Sequence, residues 1–157
     1  MISPGKKFKL SLPLHVLRQG EEAETTLKQL LKRRTILSVY MKNNTGSCDR
    51  QNDSLVASAG ALDQAGYDVI AVSRDSIGSH RKYAAKKGIP YTLVSDPEDS
   101  VAKAADAIVE KAMYGKKYFG PARAAFVLDR DGTVLAVVEK VDPKDHGAQL
   151  LATLATL

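Results

Sequence analysis

Two short runs rich in β-branched and aromatic residues, at 35–40 and 67–73, constrain the fold of this chain more than any other feature. Such runs are typical of buried strands. Between them, apolar residues recur at helical spacing and Gly66 closes the segment, which predicts a helix over 48–65. A strand, a helix and a strand in this order form a βαβ unit, which implies parallel strands and a right-handed crossover.

The segment after this unit predicts a helix, a short strand and a further helix. The first helix covers about 77–87 and ends at Gly88, and the strand covers 91–94. Asp96 and Pro97 are typical of a helix start. The buried face of the helix that follows consists of Val101, Ala104, Ala105 and Ile108.

The last third of the chain predicts an antiparallel hairpin and a closing helix. Apolar runs at 124–128 and 133–138 flank a Gly-containing turn at 129–132. Segment 111–121 is polar, aromatic and Gly-bearing, which predicts a long loop. The core stripe of the closing helix consists of Leu150, Leu151, Leu154 and Leu157.

The N-terminal segment carries weaker patterns. Residues 8–12 alternate like a short strand, and Pro13 indicates that this strand ends there or lies at an edge. Thr25 or Thr26 is expected to cap a short helix over 27–31. The whole order of elements predicts an α/β protein with a thioredoxin-like fold, a mixed central sheet covered by helices on both faces.

Composition limits the classes of function. The 157 residues predict a single domain over 1–157, and 23 basic against 18 acidic residues give a net charge of +5. These basic residues are scattered, so a solvated surface is expected and nucleic-acid binding is not. We also expect no signal peptide and no membrane span. One cysteine cannot form an internal disulfide, which favours a reducing compartment such as the cytoplasm.

That cysteine, Cys48, lies where chemistry is expected. Residues 43–47 are rich in turn and capping residues, so Cys48 is placed in the first turn of the predicted helix, after a parallel strand. Ligand sites in such sheets lie at this end of the strands. The helix dipole there favours the thiolate, which is the nucleophilic form. The alternative is a buried structural cysteine, but the polar neighbours Ser47, Asp49 and Arg50 argue against an apolar pocket.

Other candidate sites are weaker. The histidines, His15, His80 and His146, have no partners at metal-ligand spacing, so neither a metal site nor a cofactor is expected. The segment around Tyr114 and Tyr118 either flanks the active site or is a plain surface loop, and we favour the surface loop.

Three separated stretches of the chain form a recognisable pattern. They are the cysteine loop 41–48; Ser73-Arg74-Asp75-Ser76 with Ser79-His80, Lys86-Lys87-Gly88 and Ser95-Asp96; and Met113-Tyr114-Gly115-Lys116-Lys117 with Gly120, Arg123, Phe126 and 129–132. Together these stretches resemble the peroxiredoxin Q/BCP (bacterioferritin comigratory protein) branch of the peroxiredoxins. The resemblance covers about 35–150, in the family's order and with family-like spacings.

This resemblance assigns roles to particular residues. Cys48 matches the peroxidatic cysteine of the family pattern Pro-x-x-x-Thr-x-x-Cys, Thr45 matches its threonine, and Arg123 matches a distant arginine. The proline position holds Met41. The usual Pro-Gly before the cysteine is Gly46-Ser47. Because a methionine leaves the loop less rigid than a proline, we expect slower peroxide reduction than in a member with the family pattern.

The family's resolving cysteine is also missing. It would lie five residues after the first, where this chain has Asp53, or in the next helix, around Ala84. The resemblance therefore implies a one-cysteine thiol peroxidase that acts on hydrogen peroxide and organic hydroperoxides. An external thiol would then reduce the sulfenic acid on Cys48. This thiol would come from thioredoxin, glutaredoxin, a small thiol or another Cys48.

Two alternatives stay open at this point. Thr45 would either bind the peroxide or only cap the helix, and Arg123 would either stabilise the thiolate or only pair with a carboxylate such as Asp129. The chain as a whole is expected to be the peroxidase, a monomer or weak dimer. The alternative is a catalytically weakened peroxiredoxin-like redox sensor or interaction domain.

Overall fold

A mixed sheet of seven strands forms the centre of the protein, and the computed structural model describes all residues from 1 to 157. The protein has nine strands, of which all but β6 and β7 belong to this sheet: β1 (Pro13–Arg18), β2 (Glu21–Thr26), β3 (Thr35–Val39), β4 (Asp68–Ser73), β5 (Thr92–Ser95), β6 (Ile108–Met113), β7 (Lys116–Pro121), β8 (Ala125–Leu128) and β9 (Val134–Val138). The helices are α1 (Leu27–Leu30), α2 (Gly46–Gln64), α3 (Ile77–Lys87), α4 (Ser100–Ala104) and α5 (His146–Leu154).

The sheet has the order β2-β1-β5-β4-β3-β8-β9. Strands β3, β4 and β5 are parallel neighbours, whereas β8 pairs antiparallel with β3 and β1 pairs antiparallel with β5. The predicted βαβ unit and the predicted hairpin of β8 and β9 are therefore confirmed.

Each face of the sheet carries its own apolar core. Because strand residues alternate in direction, Leu37 of β3 packs into one core and its neighbour Ile36 into the other. The first core contains Leu27 of α1 and Val101 of α4. The second contains Leu55, Leu62, Tyr83 and Leu150 of α2, α3 and α5. Helices thus cover both faces, as predicted for a thioredoxin-like fold.

The N-terminal prediction was partly wrong. Residues 8–12 form no strand and include a turn at Leu10 and Ser11, and Pro13 begins β1 instead of ending a strand. The apolar alternation arises because Phe8 and Leu12 fill the core, at 2% and 8% exposure. Thr26 caps α1 as predicted, and its hydroxyl accepts from the N–H of Gln29 at 3.4 Å.

The helix predicted after Asp96 is shorter than expected. Its first backbone N–H groups, those of Ser100 and Val101, donate to the Asp96 carboxylate at 2.8 and 2.9 Å, so α4 begins only at Ser100. It ends at Ala104, and Ile108 already belongs to β6. In α5, Leu150 is fully buried, but Leu157 lies beyond the helix and is 50% exposed.

Segment 111–121 is not a loop. Strands β6 and β7 form a separate antiparallel hairpin, and its turn residues Tyr114 and Gly115 both have positive φ. Its strands are mostly exposed and lack the apolar alternation of a half-buried strand, which is why the sequence pattern missed them. Its tip carries the exposed side chains of Met113 and Tyr114, and Phe119 is exposed on β7.

None of the helices combines the length and the apolar character needed to cross a bilayer.

Candidate active site

Cys48 lies at the carboxyl end of the parallel strands, as predicted. The loop that follows β3 leads into α2, which begins at Gly46, two residues earlier than the sequence indicated. Cys48 is therefore the third helical residue, in the first turn, where backbone N–H groups have no helical partner. The thiol is thus near the positive end of a 19-residue helix.

The prediction of polar surroundings for this thiol was wrong. Cys48 is only 2% exposed and belongs to the apolar core that contains Tyr40 and Leu55. The polar neighbours in sequence point elsewhere because adjacent residues on a helix do not share a face. Burial therefore has to be offset by specific contacts if the sulfur is to ionise.

Two hydrogen-bond donors supply such contacts. The backbone N–H of Met41 and Nη1 of Arg123 each lie 3.4 Å from Cys48 Sγ. Arg123 lies in the bend just before β8, which neighbours β3. The tertiary structure thus brings a cation to the sulfur from 75 residues away.

These contacts decide the ionisation of the thiol. Burial raises the pKa of Cys48, whereas the nearby Thr45 hydroxyl and hydrogen bonds from the backbone at Lys42 and Met41 and from Arg123 lower it. The pKa of Cys48 consequently lies below its ordinary value. A larger share of the thiol is then present as the reactive thiolate.

Thr45 occupies the N-cap position of α2, but its side chain makes no capping hydrogen bond. Its hydroxyl donates to the Lys42 carbonyl at 2.8 Å. A hydroxyl has one proton to donate, so in this arrangement Thr45 acts on the sulfur as a nearby dipole while its oxygen still offers lone pairs. The helix-cap alternative for this side chain is therefore wrong.

The carboxylate alternative for Arg123 is wrong as well. Asp129 lies beside Arg34, at 3.9 Å, and Arg123 makes no salt bridge. Its Nη1 instead donates to Oε1 of Gln51 at 2.7 Å. A neutral amide thus fixes the guanidinium without neutralising its charge, which stays available to the sulfur. Sequence reasoning missed Gln51, although it lies one helical turn after Cys48 on the same face.

The loop before the cysteine is held by Asn43, a second residue that sequence reasoning missed. Asn43 is 3% exposed, and its N–H donates to Asp75 at 2.9 Å. Its carboxamide accepts from the Tyr40 hydroxyl at 2.6 Å and contacts His80 Nδ1 at 3.1 Å. These bonds join the loop to the end of β4 and to α3. They give the loop a fixed path although Met41 occupies the family's proline position.

The hairpin of β6 and β7 reaches the site through Lys111. Its Nζ lies 2.7 Å from Met41 Sδ, and burial, followed by the nearby charges of Arg123 and Arg74, lowers the pKa of Lys111. The tip of the hairpin at Tyr114 is 98% exposed, as expected of a surface segment. The middle of the hairpin, however, lies beside the loop that precedes Cys48.

The histidines lie apart in space as in sequence. His15 contacts Glu22 and His80 contacts Asn43, whereas His146 is completely buried against Ser38. No group of three or more His, Cys, Asp or Glu side chains is arranged to bind a metal ion.

The positions of the family's resolving cysteine carry other side chains. Asp53 pairs with Lys87 at 3.0 Å, and Ala84 lies in α3. A cavity of about 340 Å³ is lined by Asp63, Tyr67 and Asp68 near the amino end of β4. It therefore lies away from the sulfur and does not mark the reactive centre.

Known proteins share both the sequence pattern and the fold. Residues 4–137 match the model of the AhpC/TSA family. Peroxiredoxin Bcp of Xanthomonas campestris is 35% identical over 151 residues, which cover 96% of this chain and 91% of that protein. A putative peroxiredoxin of Mycobacterium tuberculosis is 29% identical over 154 residues, which cover 98% and 96%.

Solved structures agree with these sequence matches. A structure of Xanthomonas campestris peroxiredoxin Q superimposes with a TM-score of 0.86 at 32% identity, covering 98% of this chain and 97% of that one. A ligand-complex structure of the bacterioferritin comigratory protein of the same organism, from work on its alkyl peroxide reduction activity, gives 0.86 at 31% identity and covers 98% of each chain.

Proposed function

Since the chain belongs to the AhpC/TSA family of peroxiredoxins, we propose that Cys48 is its peroxidatic thiol and that Thr45 and Arg123 complete the catalytic site. The protein is a thiol peroxidase, which reduces a hydroperoxide at the expense of a thiol. It contains one cysteine and so is of the one-cysteine type. The observation that carries the assignment is the Arg123 guanidinium 3.4 Å from Cys48 Sγ, in the first turn of α2.

The reaction follows from these contacts. The Cys48 thiolate attacks the terminal oxygen of the hydroperoxide, a sulfur–oxygen bond forms, and the oxygen–oxygen bond breaks. The alkoxide or hydroxide that leaves takes up a proton, and Cys48 becomes a sulfenic acid. Arg123 stabilises both the thiolate before the attack and the negative charge that develops on the leaving oxygen.

Thr45 and the backbone position the peroxide. The Thr45 oxygen can accept the hydrogen bond of the terminal peroxide O–H, which leaves that oxygen in line with the sulfur. The Met41 N–H, 3.4 Å from the sulfur, donates into the same small region. We propose hydrogen peroxide and organic hydroperoxides as the substrates.

The second half of the cycle requires a thiol from outside the domain. That thiol attacks the sulfenic sulfur and water leaves, which gives a mixed disulfide, and a second thiol then releases Cys48. We propose thioredoxin, glutaredoxin or a small thiol for this step, and the cytoplasm as a compartment that keeps such thiols reduced. In this proposal the whole chain, 1–157, acts as one peroxiredoxin domain and as a monomer or weak dimer.

Mass spectrometry after one equivalent of hydrogen peroxide tests the assignment. We expect Cys48 to gain one oxygen quickly and to be trapped as a sulfenic acid by a dimedone-type reagent. Cys48→Ser provides the blank. A thiol that stays intact for minutes would contradict the peroxidatic role of Cys48 and favour the weakened redox sensor or interaction domain.

A further inference from the structure

A continuous buried chain of hydrogen bonds runs from the guanidinium of the active site to the C-terminal helix. Arg123 Nη1 contacts Gln51 Oε1 at 2.7 Å, and Gln51 Nε2 contacts Ser38 Oγ at 3.0 Å. Ser38 Oγ lies 3.0 Å from His146 Nε2, and His146 Nδ1 lies 3.4 Å from Gln149 Oε1. Gln51, Ser38 and His146 are all completely buried.

The outer end of the chain fixes the tautomer of His146. Gln149 donates through Nε2 to the Lys140 carbonyl at 2.7 Å and accepts through Oε1 from the Asp142 N–H at 3.1 Å, which settles its amide orientation. His146 Nδ1 faces an acceptor and must therefore carry the proton. Since burial lowers the pKa of His146 to about 4, the ring is neutral at pH 7 and Nε2 is an acceptor.

At the other end of the chain, Arg123 fixes which atoms donate and which accept in the remaining hydrogen bonds. Arg123 only donates, so the atom of Gln51 that faces it is the oxygen, and Gln51 Nε2 donates to Ser38 and also to the Val39 carbonyl at 3.3 Å. Ser38 therefore accepts from Gln51 and gives its one proton to His146. Each side chain in this chain of hydrogen bonds therefore has only one possible assignment of donor and acceptor atoms.

Helix α5 is seated tightly enough to hold this arrangement. A Cβ atom added to Gly147 would lie 2.0 Å from Ser58 Oγ, so only glycine allows α5 to approach α2 this closely. The Gly147 N–H donates to Ser54 Oγ at 2.8 Å. This hydrogen bond also joins α2 and α5, but neither of its residues belongs to the chain of hydrogen bonds that leads to Arg123.

We propose that Ser38 and His146 are positioning residues for peroxide reduction, which act through Gln51 to hold the Arg123 guanidinium against the Cys48 sulfur. The inference rests on the role proposed above for Arg123. Without the Ser38–His146 pair, Nε2 of Gln51 keeps only the Val39 carbonyl as a partner, so the amide is held less firmly and its oxygen can turn away from Arg123. The guanidinium would then spend less time beside the sulfur.

Four variants test this proposal. Ser38→Ala and His146→Leu break the chain. His146→Gln retains an acceptor for Ser38 and serves as the conservative rescue. Ser54→Ala is the matched control, because it removes one hydrogen bond between α2 and α5 and leaves the chain intact. Cys48 is the only thiol, so its alkylation rate against pH and its rate of sulfenic acid formation report on the site alone.

We expect Ser38→Ala and His146→Leu to slow sulfenic acid formation by about three- to tenfold, the effect of losing about one hydrogen bond. Their alkylation profiles should move to higher pH. His146→Gln should stay near the unmodified protein in both measurements. Ser54→Ala should lower the melting temperature but leave the rate and the pH profile unchanged.

Two results would overturn the proposal. One is a folded Ser38→Ala or His146→Leu variant with an unchanged rate and pH profile. The other is Ser54→Ala slowing the reaction as much as Ser38→Ala does, which would make the effect one of general packing. If Ser38→Ala does not fold, the His146→Leu and His146→Gln pair decides the question. An unmodified protein that forms no sulfenic acid would instead contradict the peroxidase assignment of Cys48.

Discussion

The Arg123 guanidinium lies 3.4 Å from Cys48 Sγ, and Gln51, a neutral amide, holds it there. We expect Arg123→Ala to raise the pKa of Cys48 and to slow sulfenic acid formation by about a hundredfold, as the loss of a charge-stabilising donor typically does. Arg123→Lys should recover only part of the rate, because one ammonium does not reproduce the guanidinium fork. Stopped-flow kinetics with hydrogen peroxide measures both.

The control for this prediction is Arg130→Ala, which removes an equal charge from the exposed turn after β8. Its rate should match that of the unmodified protein. An Arg123→Ala variant that reacts as fast as Arg130→Ala would contradict the role of the guanidinium.

The Thr45 hydroxyl gives a second prediction. We expect Thr45→Val to slow peroxide reduction by about tenfold or more, because the variant keeps the shape of the side chain but loses the oxygen that would bind the peroxide. Thr45→Ser keeps the oxygen and should stay within a few-fold of the unmodified rate. If valine and serine at this position react equally fast, the hydroxyl has no part in the reaction.

A proline at position 41 would have two opposing effects, one on the rigidity of the loop and one on the hydrogen bonding of the sulfur. A proline there would stiffen the loop, but it has no N–H and would remove the donor 3.4 Å from the sulfur. We therefore expect Met41→Pro to raise the pKa of Cys48, whereas Met41→Ala, which keeps the N–H, should not. Alkylation rates measured against pH distinguish the two, and equal profiles for both variants would contradict the role of the N–H.

The comparison of rates is a separate test of the same position. We still expect the unmodified protein to reduce peroxide more slowly than a relative with the full family pattern, because Met41 fixes the loop less rigidly than proline. Turnover of the two proteins measured side by side checks this, and equal turnover would show the expectation to be wrong.

The buried His146 predicts acid sensitivity. Burial lowers its pKa from 6.5 to about 4, the nearby charge of Arg123 lowers it too, and a contact with Gln149 raises it. Between these two values the unfolded chain binds a proton that the folded protein excludes, so the free energy of unfolding falls as the pH drops from 6.5 towards 4. The loss attributable to His146 is about 3 kcal/mol at most.

Urea unfolding at several pH values measures this loss. His146→Gln cannot titrate there and should show a shallower decline over this range. The decline should not vanish, because the buried His80, whose pKa is also lowered by burial, acts in the same direction. A decline of the same slope in His146→Gln would contradict the assignment.

Local sequence patterns predicted the buried parts of the fold well. The runs that became β3 and β4 are almost fully buried, and their composition identifies them without any tertiary information. The hairpin of β6 and β7 was missed because its strands are mostly exposed and need no apolar pattern. The N-terminal pair of strands β1 and β2 was also missed. All residues of β2 except Ala23 are polar, and β2 is held to β1 mainly by backbone hydrogen bonds, so it shows no apolar pattern.

The candidate site shows the same division. Cys48, Thr45 and Arg123 were predicted because short motifs and their resemblance to a family identify them. Gln51, Ser38 and His146 were not, because amides, hydroxyls and histidines occur throughout the chain. Only their burial and mutual distances distinguish them.

The sequence by itself therefore determined that a lone cysteine lies in the first turn of a helix at the end of a parallel strand, since hydrophobic periodicity and helix-start chemistry are local properties. The tertiary structure alone decided that this sulfur is buried and that Arg123 reaches it. It also decided that a neutral chain of hydrogen bonds extends from Arg123 to α5. The reason is physical: ionisation depends on desolvation and on charges and donors a few ångströms away, and the fold collects these from distant parts of the chain.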